Sequence, residues 1–272
     1  MTASFQRDVF IDILFDAAKK DESIMFLSAD FGAPSLDKFR DELPKQFIHC
    51  GISEQHMIDM AAGLSMSGHK VYVYAMAPFV TLRCLEQIKC SLALMSLPVT
   101  IIAVGVGLGY ADSGPTHYLN EDIACMRSIV GLDVIAPSDK TSTEYVANLT
   151  LTDPKLRIVR LERNALDELY PKNEKFNEDG FNIISNGKEI SLITYGYMTH
   201  RAKEACELLK KENIEVGLID IYSIKPFPKN LISNLSNLKK IITIEEQTLS
   251  GGFGSSILEN LSLLNLLSVE IK

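Results

Sequence analysis

The chain has 272 residues, 46% of them hydrophobic and 23% charged, enough apolar material for about two globular domains. Its formal charge of −8, with Lys and Arg dispersed rather than clustered, offers no basic stripe to a polyanion and argues against nucleic acid as a partner. Five widely spaced cysteines without a C-x-x-C pair suggest neither a disulfide framework nor a zinc site, and no stretch approaches the roughly 20 uninterrupted apolar residues of a membrane span. Charges in MTASFQRDVF stand where a signal peptide needs an apolar run, so a reduced, cytoplasmic setting is expected.

Short β-rich apolar runs alternate with helical periodicity along nearly the whole chain, the pattern of an α/β protein whose parallel sheet is covered by helices. Phe10, Ile13, Leu14 and Ala17 recur at i, i+3, i+4 and i+7 and predict a first amphipathic helix. The strand SIMFLSA, a helix over 35–43 and the short strand QFIHC follow, and then the helix that carries Glu54. Next come the strand KVYVYAM, one long helix from Val80 to Met95, the strand PVTIIAVGV, a glycine-rich loop over 105–115 and a helix over 119–129. The strand DVIAP, a helix over 139–150 and the strand LRIVRL complete a first domain, residues 1–165. Residues 166–188 are polar, contain Pro and Gly and show no sustained period, as a linker should. A second α/β domain, residues 189–272, then runs through ISLITYG, a helix over 199–212, IEVGLIDI, a helix over 228–236, KKIITIEE and a helix after SGGFGS.

Two short stretches hold the candidate chemistry. In GISEQ, Ser53 is a good N-cap, and a carboxylate at Glu54 suits the positive end of the helix dipole, which is the plain structural reading. In GVGLGYADSGPTH, the Gly-x-Gly-x-Gly run does not lead directly into a helix as a dinucleotide fingerprint would, whereas GPTH sets the imidazole of His117 at the end of a rigid turn. Taken alone, His117 reads equally as a capping or core residue.

Taken in order, GISEQHMIDMAAGL, APFVTLRCLEQIK, GPTHYLNEDIACMRSIVGLDVIAPSD and IEEQTLSGGFGS resemble the C-terminal half of a transketolase. The glutamate motif is also close to that of deoxyxylulose phosphate synthases. Each motif alone is only suggestive; the four together are specific and span most of the chain. The resemblance implies two doubly wound domains, a pyrimidine-binding domain and a transketolase-type C-terminal domain. It also implies thiamine diphosphate as cofactor and transfer of a two-carbon ketol unit between phosphorylated sugars. Glu54 is then expected to bond N1′ of the aminopyrimidine, favouring the tautomer whose nitrogen takes the proton from the thiazolium C2. Phe79 matches the aromatic ring stacked on the pyrimidine, and Arg83, one turn on, reaches the same pocket. Arg7, Ser35 and Arg163 match points where the family holds a sugar phosphate, and His117 resembles a histidine that contacts the sugar near its reacting carbon.

Three departures qualify the likeness. Ser113 stands where transketolases carry an Asp before GPTH, with Asp112 one residue earlier, and Gly105 stands where they have a second substrate-binding His, so the donor sugar is left open. The chain also stops soon after LLSVEIK, where a shortened C-terminal domain is expected. The Gly-Asp-Gly motif through which the family binds Mg²⁺ and the diphosphate occurs nowhere in the sequence. An N-terminal partner subunit carrying that motif is therefore expected, together with self-association into an α2β2 assembly. Two other readings stay open: the beta subunit of a 2-oxoacid dehydrogenase, which also supplies an activating glutamate, and a non-catalytic scaffold half.

Overall fold

Two sheets carry the alternation of strand and helix, and the computed structural model describes residues 3–29, 33–176, 179–235, 238–263 and 270–271. Six strands begin the chain: β1 (Ile24–Ser28), β2 (Phe47–His49), β3 (Lys70–Met76), β4 (Val99–Val104), β5 (Asp133–Ile135) and β6 (Arg157–Leu161). Six more follow: β7 (Phe181–Ser185), β8 (Ile190–Thr194), β9 (Gly217–Ile221), β10 (Ser223–Lys225), β11 (Lys240–Thr243) and β12 (Glu270–Ile271). The first sheet has the order β10-β5-β6-β4-β3-β1-β2, parallel throughout except for β10, which runs antiparallel to β5. The second has the order β12-β11-β8-β9-β7 and is parallel except for β7.

Strands β1, β4, β6 and β9 are buried along their whole length, because helices cover both faces of each sheet and leave no solvent side for polar residues. Alternate residues divide between two cores. Leu27, Val73, Ile101 and Ile158 point to one face and share a continuous apolar cluster with Ile193, Ile219 and Ile241 of the second sheet. Phe26, Tyr74, Ile102 and Val159 point to the other, where α1 (Gln6–Ala18) and α2 (Asp37–Glu42) close a knot of aromatic rings. Within that knot Phe39 lies 4.9 Å from Phe26 and 5.3 Å from Phe15, centroid to centroid. Among the described residues no helix is long and apolar enough to cross a membrane.

Four expectations are corrected. The single helix over Val80 to Met95 is instead four pieces: α4 (Ala77–Val80), a 3₁₀ turn at Leu82–Cys84, α5 (Leu85–Gln87) and a π turn at Ile88–Ala93. Thr81 causes the first break, since its hydroxyl donates to the Ala77 carbonyl at 2.6 Å while its own backbone leaves helical space at φ −106°, ψ −84°. Ser53 occupies the N-cap position of α3 (Glu54–Met66), but its hydroxyl donates to the Cys50 carbonyl at 2.5 Å and caps no helix N–H. The stretch 166–188 contains β7, which pairs with β9 as an edge strand. The helix over 119–129 shrinks to α6 (Asp122–Met126). The remaining helices, α7 (Lys140–Thr152), α8 (Met198–Lys211), α9 (Leu231–Leu235) and α10 (Phe253–Leu263), lie within the stretches read as helical or extend them by a residue or two. The shortened end expected beyond α10 falls mostly on 264–269 and 272, outside the described residues, although β12 is present and pairs parallel with β11.

Candidate active site

Adjacent parallel strands bring their C-terminal ends to one edge of the sheet, which is where open α/β sheets bind ligands. At that edge of the first sheet Glu54 follows β2, Phe79 and Arg83 follow β3, the loop 105–117 follows β4 and Arg163 follows β6. Residues distant in sequence therefore meet because β6, β4, β3, β1 and β2 are neighbours in that order.

Glu54 opens the thirteen-residue helix α3 and is 4% exposed. Arg83 Nη1 donates to its Oε2 at 2.7 Å, and the same guanidinium lies 4.1 Å from the centroid of the Phe79 ring. Phe79 meets His117 edge-to-face, with centroids 5.2 Å apart and planes at 70°. His117 Nδ1 is 2.9 Å from the Thr116 hydroxyl and the imidazole is 6.2 Å from the Tyr110 ring. Arg163 covers Tyr110 at 4.4 Å and donates to Asp112 Oδ1 at 2.6 Å, holding that carboxyl below the ordinary carboxylate range. Five of the seven residues singled out in the sequence thus fall into one connected run from Glu54 to Arg163. Tyr110 and Asp112 complete it; neither was among the seven, and the only sequence signal for Tyr110 is a lone aromatic ring in a glycine-rich loop.

Arg7 and Ser35 share no hydrogen bond, ion pair or ring contact with that run among the described residues. Arg7 Nε donates to Asp8 Oδ1 at 2.8 Å and lies beside Tyr74, while the neighbouring Gln6 reaches the β6 end, its Oε1 accepting the Glu162 N–H at 2.8 Å. Ser35, in a 3₁₀ turn after β1, has a buried hydroxyl with no hydrogen-bond partner. Both nonetheless sit on loops or helix starts of the same sheet edge.

Below the run, the segment after β11 seals the loop from the other domain. Asn120 donates to the Glu246 carbonyl, and the Thr248 N–H donates to the Asn120 carbonyl at 2.8 Å. Gln247 Nε2 donates to Asp122 Oδ1 at 3.0 Å, and Asp122 in turn accepts both arms of Arg160, at 2.7 and 3.0 Å. Two further carboxyls lie behind the glycine loop: burial raises Glu162, with N–H groups of Asn164 and Arg163 pulling it back, and burial and then Glu162 raise Glu246. The arrangement offers a buried carboxylate beside an aromatic face at one end, an imidazole in the middle and a guanidinium at the other. It can share a proton with a ring nitrogen, stack a planar ring and take up an anion along one line.

Comparison with known proteins gives the same outline. The model described as transketolase, pyrimidine binding domain, matches residues 6–168, and the one described as transketolase, C-terminal domain, matches residues 180–271. One of the two chains of an apulose-4-phosphate transketolase from Phocaeicola vulgatus is 34% identical over 94% of this chain and 83% of its own length. A putative transketolase C-terminal section from Methanocaldococcus jannaschii is 31% identical over 91% of this chain and 79% of its own. A solved structure described as a split gene transketolase, inactive beta4 tetramer, superposes with a TM-score of 0.88 at 26% identity, covering 99% of this chain and 88% of that one. The chain therefore belongs to the transketolase family and corresponds to its C-terminal half, the pyrimidine-binding and C-terminal domains together.

Proposed function

We propose that the chain is one subunit of a two-chain, thiamine-diphosphate-dependent transketolase that moves a two-carbon ketol unit between phosphorylated sugars. The observation that carries this reading is Glu54, a carboxylate 4% exposed at the start of α3 and joined through Arg83 and Phe79 to His117. Those residues fit an aminopyrimidine: Phe79 offers a half-buried ring face for stacking, and Arg83 occupies Oε2, leaving Glu54 Oε1 to meet the ring nitrogen. When bound, the cofactor supplies the nucleophilic carbon that carries the two-carbon unit between sugars. Glu54 holds the proton shared with the pyrimidine, and its low-polarity setting keeps water from competing for that proton. His117 donates to the oxygens next to the reacting carbon.

Arg163, Arg7 and Ser35 bind the phosphate end, Arg163 through the planar fork that suits a tetrahedral anion. The name of the Phocaeicola vulgatus relative, which specifies a sugar phosphate, supports that substrate class. Mg²⁺ and the diphosphate are held by a partner chain with the Gly-Asp-Gly motif, which this sequence lacks; among the described residues no group of three His, Cys, Asp or Glu side chains suits a metal. The beta4 association named for the split-gene relative supports contacts between copies of this chain, completed by the partner as α2β2. Within the chain we assign residues 1–165 to the pyrimidine-binding part and 189–272 to the C-terminal part, the latter extended back to include β7.

The test is Glu54→Gln mixed with the partner chain. Ketol transfer should fall by at least about 100-fold, the scale of lost acid–base catalysis, with an unchanged melting midpoint. Turnover within threefold of wild type would remove Glu54 from the chemistry.

A further inference from the structure

We infer that Tyr110 is the specificity residue of this site, setting the distance between the imidazole that meets the reacting end of the sugar and the guanidinium that meets its phosphate. The inference rests on the transketolase reading and deepens it. Its starting point is Gly105, at φ +81°, where an added Cβ would stand 2.0 Å from Tyr110 Cε2 and 2.3 Å from Cδ2. The Tyr110 ring therefore fills the space that any side chain at 105 would occupy, and the glycine is required both by its backbone angle and by the ring above it.

Two further sides hold the ring: His117 at 6.2 Å and the Arg163 guanidinium at 4.4 Å. A guanidinium stacked on an aromatic face has its plane fixed and its N–H edge directed sideways, the edge that takes an anion with two parallel bonds. In this structure Asp112 takes that edge, at 2.6 Å. An anionic substrate end must displace the Asp112 carboxylate from Arg163, while the oxygens at the other end reach His117; what lies between them passes along the Tyr110 ring. The geometry selects an open-chain ketose with a terminal phosphate over a short α-keto acid, which has no second anion to place on Arg163 once its reacting end is at His117. Sugar C–H groups pack well on an aromatic face, so the ring adds contact along the chain as well as spacing.

The experiment uses the enzyme reconstituted with its partner chain, fructose 6-phosphate as donor and inorganic phosphate as competitor. Tyr110→Ala should raise KM for the donor and Ki for phosphate about tenfold each, with kcat within threefold and the melting midpoint retained. Tyr110→Phe, which returns the ring without the hydroxyl, should bring KM back to within about threefold of wild type. Gly105→Ala, which pushes the ring out, should reproduce the rise in KM. Values of KM and Ki for Tyr110→Ala within twofold of wild type overturn the inference. If the wild-type pair transfers no ketol unit at all, the functional reading falls, and phosphate binding to the same complex, followed by calorimetric titration, then decides on Tyr110. Affinity at least fivefold weaker in Tyr110→Ala supports its role in holding Arg163, and equal affinity overturns it.

Discussion

Two ion pairs at the sheet edge look alike on paper and differ in what surrounds them. In the Arg83–Glu54 pair the arginine side chain is 40% exposed and the glutamate 5%, so water screens one partner and the other has a ring system to serve. In the Arg160–Asp122 pair both side chains are sealed, at 2% and 1%, with the Tyr195 ring 5.3 Å from the guanidinium. Burial works against the Arg160 charge, and Asp122 more than offsets it, so the guanidinium is held above its ordinary pKa. Truncating one member of such a pair leaves the other charged in a low-dielectric interior, which costs about 3–5 kcal/mol. Arg160→Met should therefore lower the free energy of unfolding by that amount in denaturant titrations, even though methionine fits the volume and Gln247 still donates to Asp122. A loss below about 1 kcal/mol would mean that the pair is not sealed in solution.

Among the elements, α10 shows how a glycine-rich stretch becomes a helix start. Glu245, at the end of the strand segment before it, accepts the backbone N–H groups of Phe253 and Gly254 at 2.6 and 2.7 Å. Those are orphan donors of the first turn, and a carboxylate also suits the dipole there. Burial raises the Glu245 pKa, and the two N–H bonds pull it back toward the charged form that the cap requires. Glu245→Ala should cost about 1–2 kcal/mol and lower hydrogen-exchange protection along Phe253–Leu263 before it affects the first sheet. Equal protection in the two proteins would show that packing of Phe253 and Ile257 alone holds the helix. How far such elements can be read in advance depends on the range of the forces involved. The strands β1, β3, β4, β6 and β9 are legible because full burial writes them as unbroken apolar runs. The strand β7 is hidden because only Phe181 of its five residues is buried, so an edge strand reads as a polar linker. The break at Thr81 is hidden because a single hydroxyl decides it. Glu54, Phe79 and Arg83 are legible from short motifs. The pairing of Arg163 with Asp112, 51 residues away, and the placing of Tyr110 over Gly105 depend on how loops fold back and leave no local pattern.

For the molecule as a whole, a polar lock joins the two sheets, and it titrates. Asp139 caps α7 through the Ser142 N–H and, with its other oxygen, accepts the N–H groups of Leu169 and Tyr170, pinning the connecting segment. The Tyr170 hydroxyl then donates to Asp220 Oδ2 at 2.6 Å, while Ser138 of the first domain and Thr199 of α8 donate to Oδ1 at 2.7 and 2.9 Å. Asp220 is fully buried, and burial raises its pKa from 3.8 to about 6, against the lowering effect of those three donors and with a further push from Asp139. A folded-state pKa above the unfolded one means that the folded chain binds the extra proton, so stability falls as pH rises from about 4 to about 6 and stays reduced above that window. The displacement corresponds to about 3 kcal/mol at most. Asp220→Asn keeps the shape and removes the titration, its amide nitrogen facing hydroxyls that can turn to accept. Glu162, Glu245 and Glu246 titrate in both proteins, so the difference between the two unfolding curves isolates Asp220. That difference should shift by about 1–3 kcal/mol in favour of the asparagine variant between pH 4.5 and pH 6.5, measured by denaturant unfolding. A constant difference across the window would mean that the Asp220 carboxyl is charged throughout, with the three hydroxyls fully offsetting its burial, and that the lock between the sheets does not respond to pH.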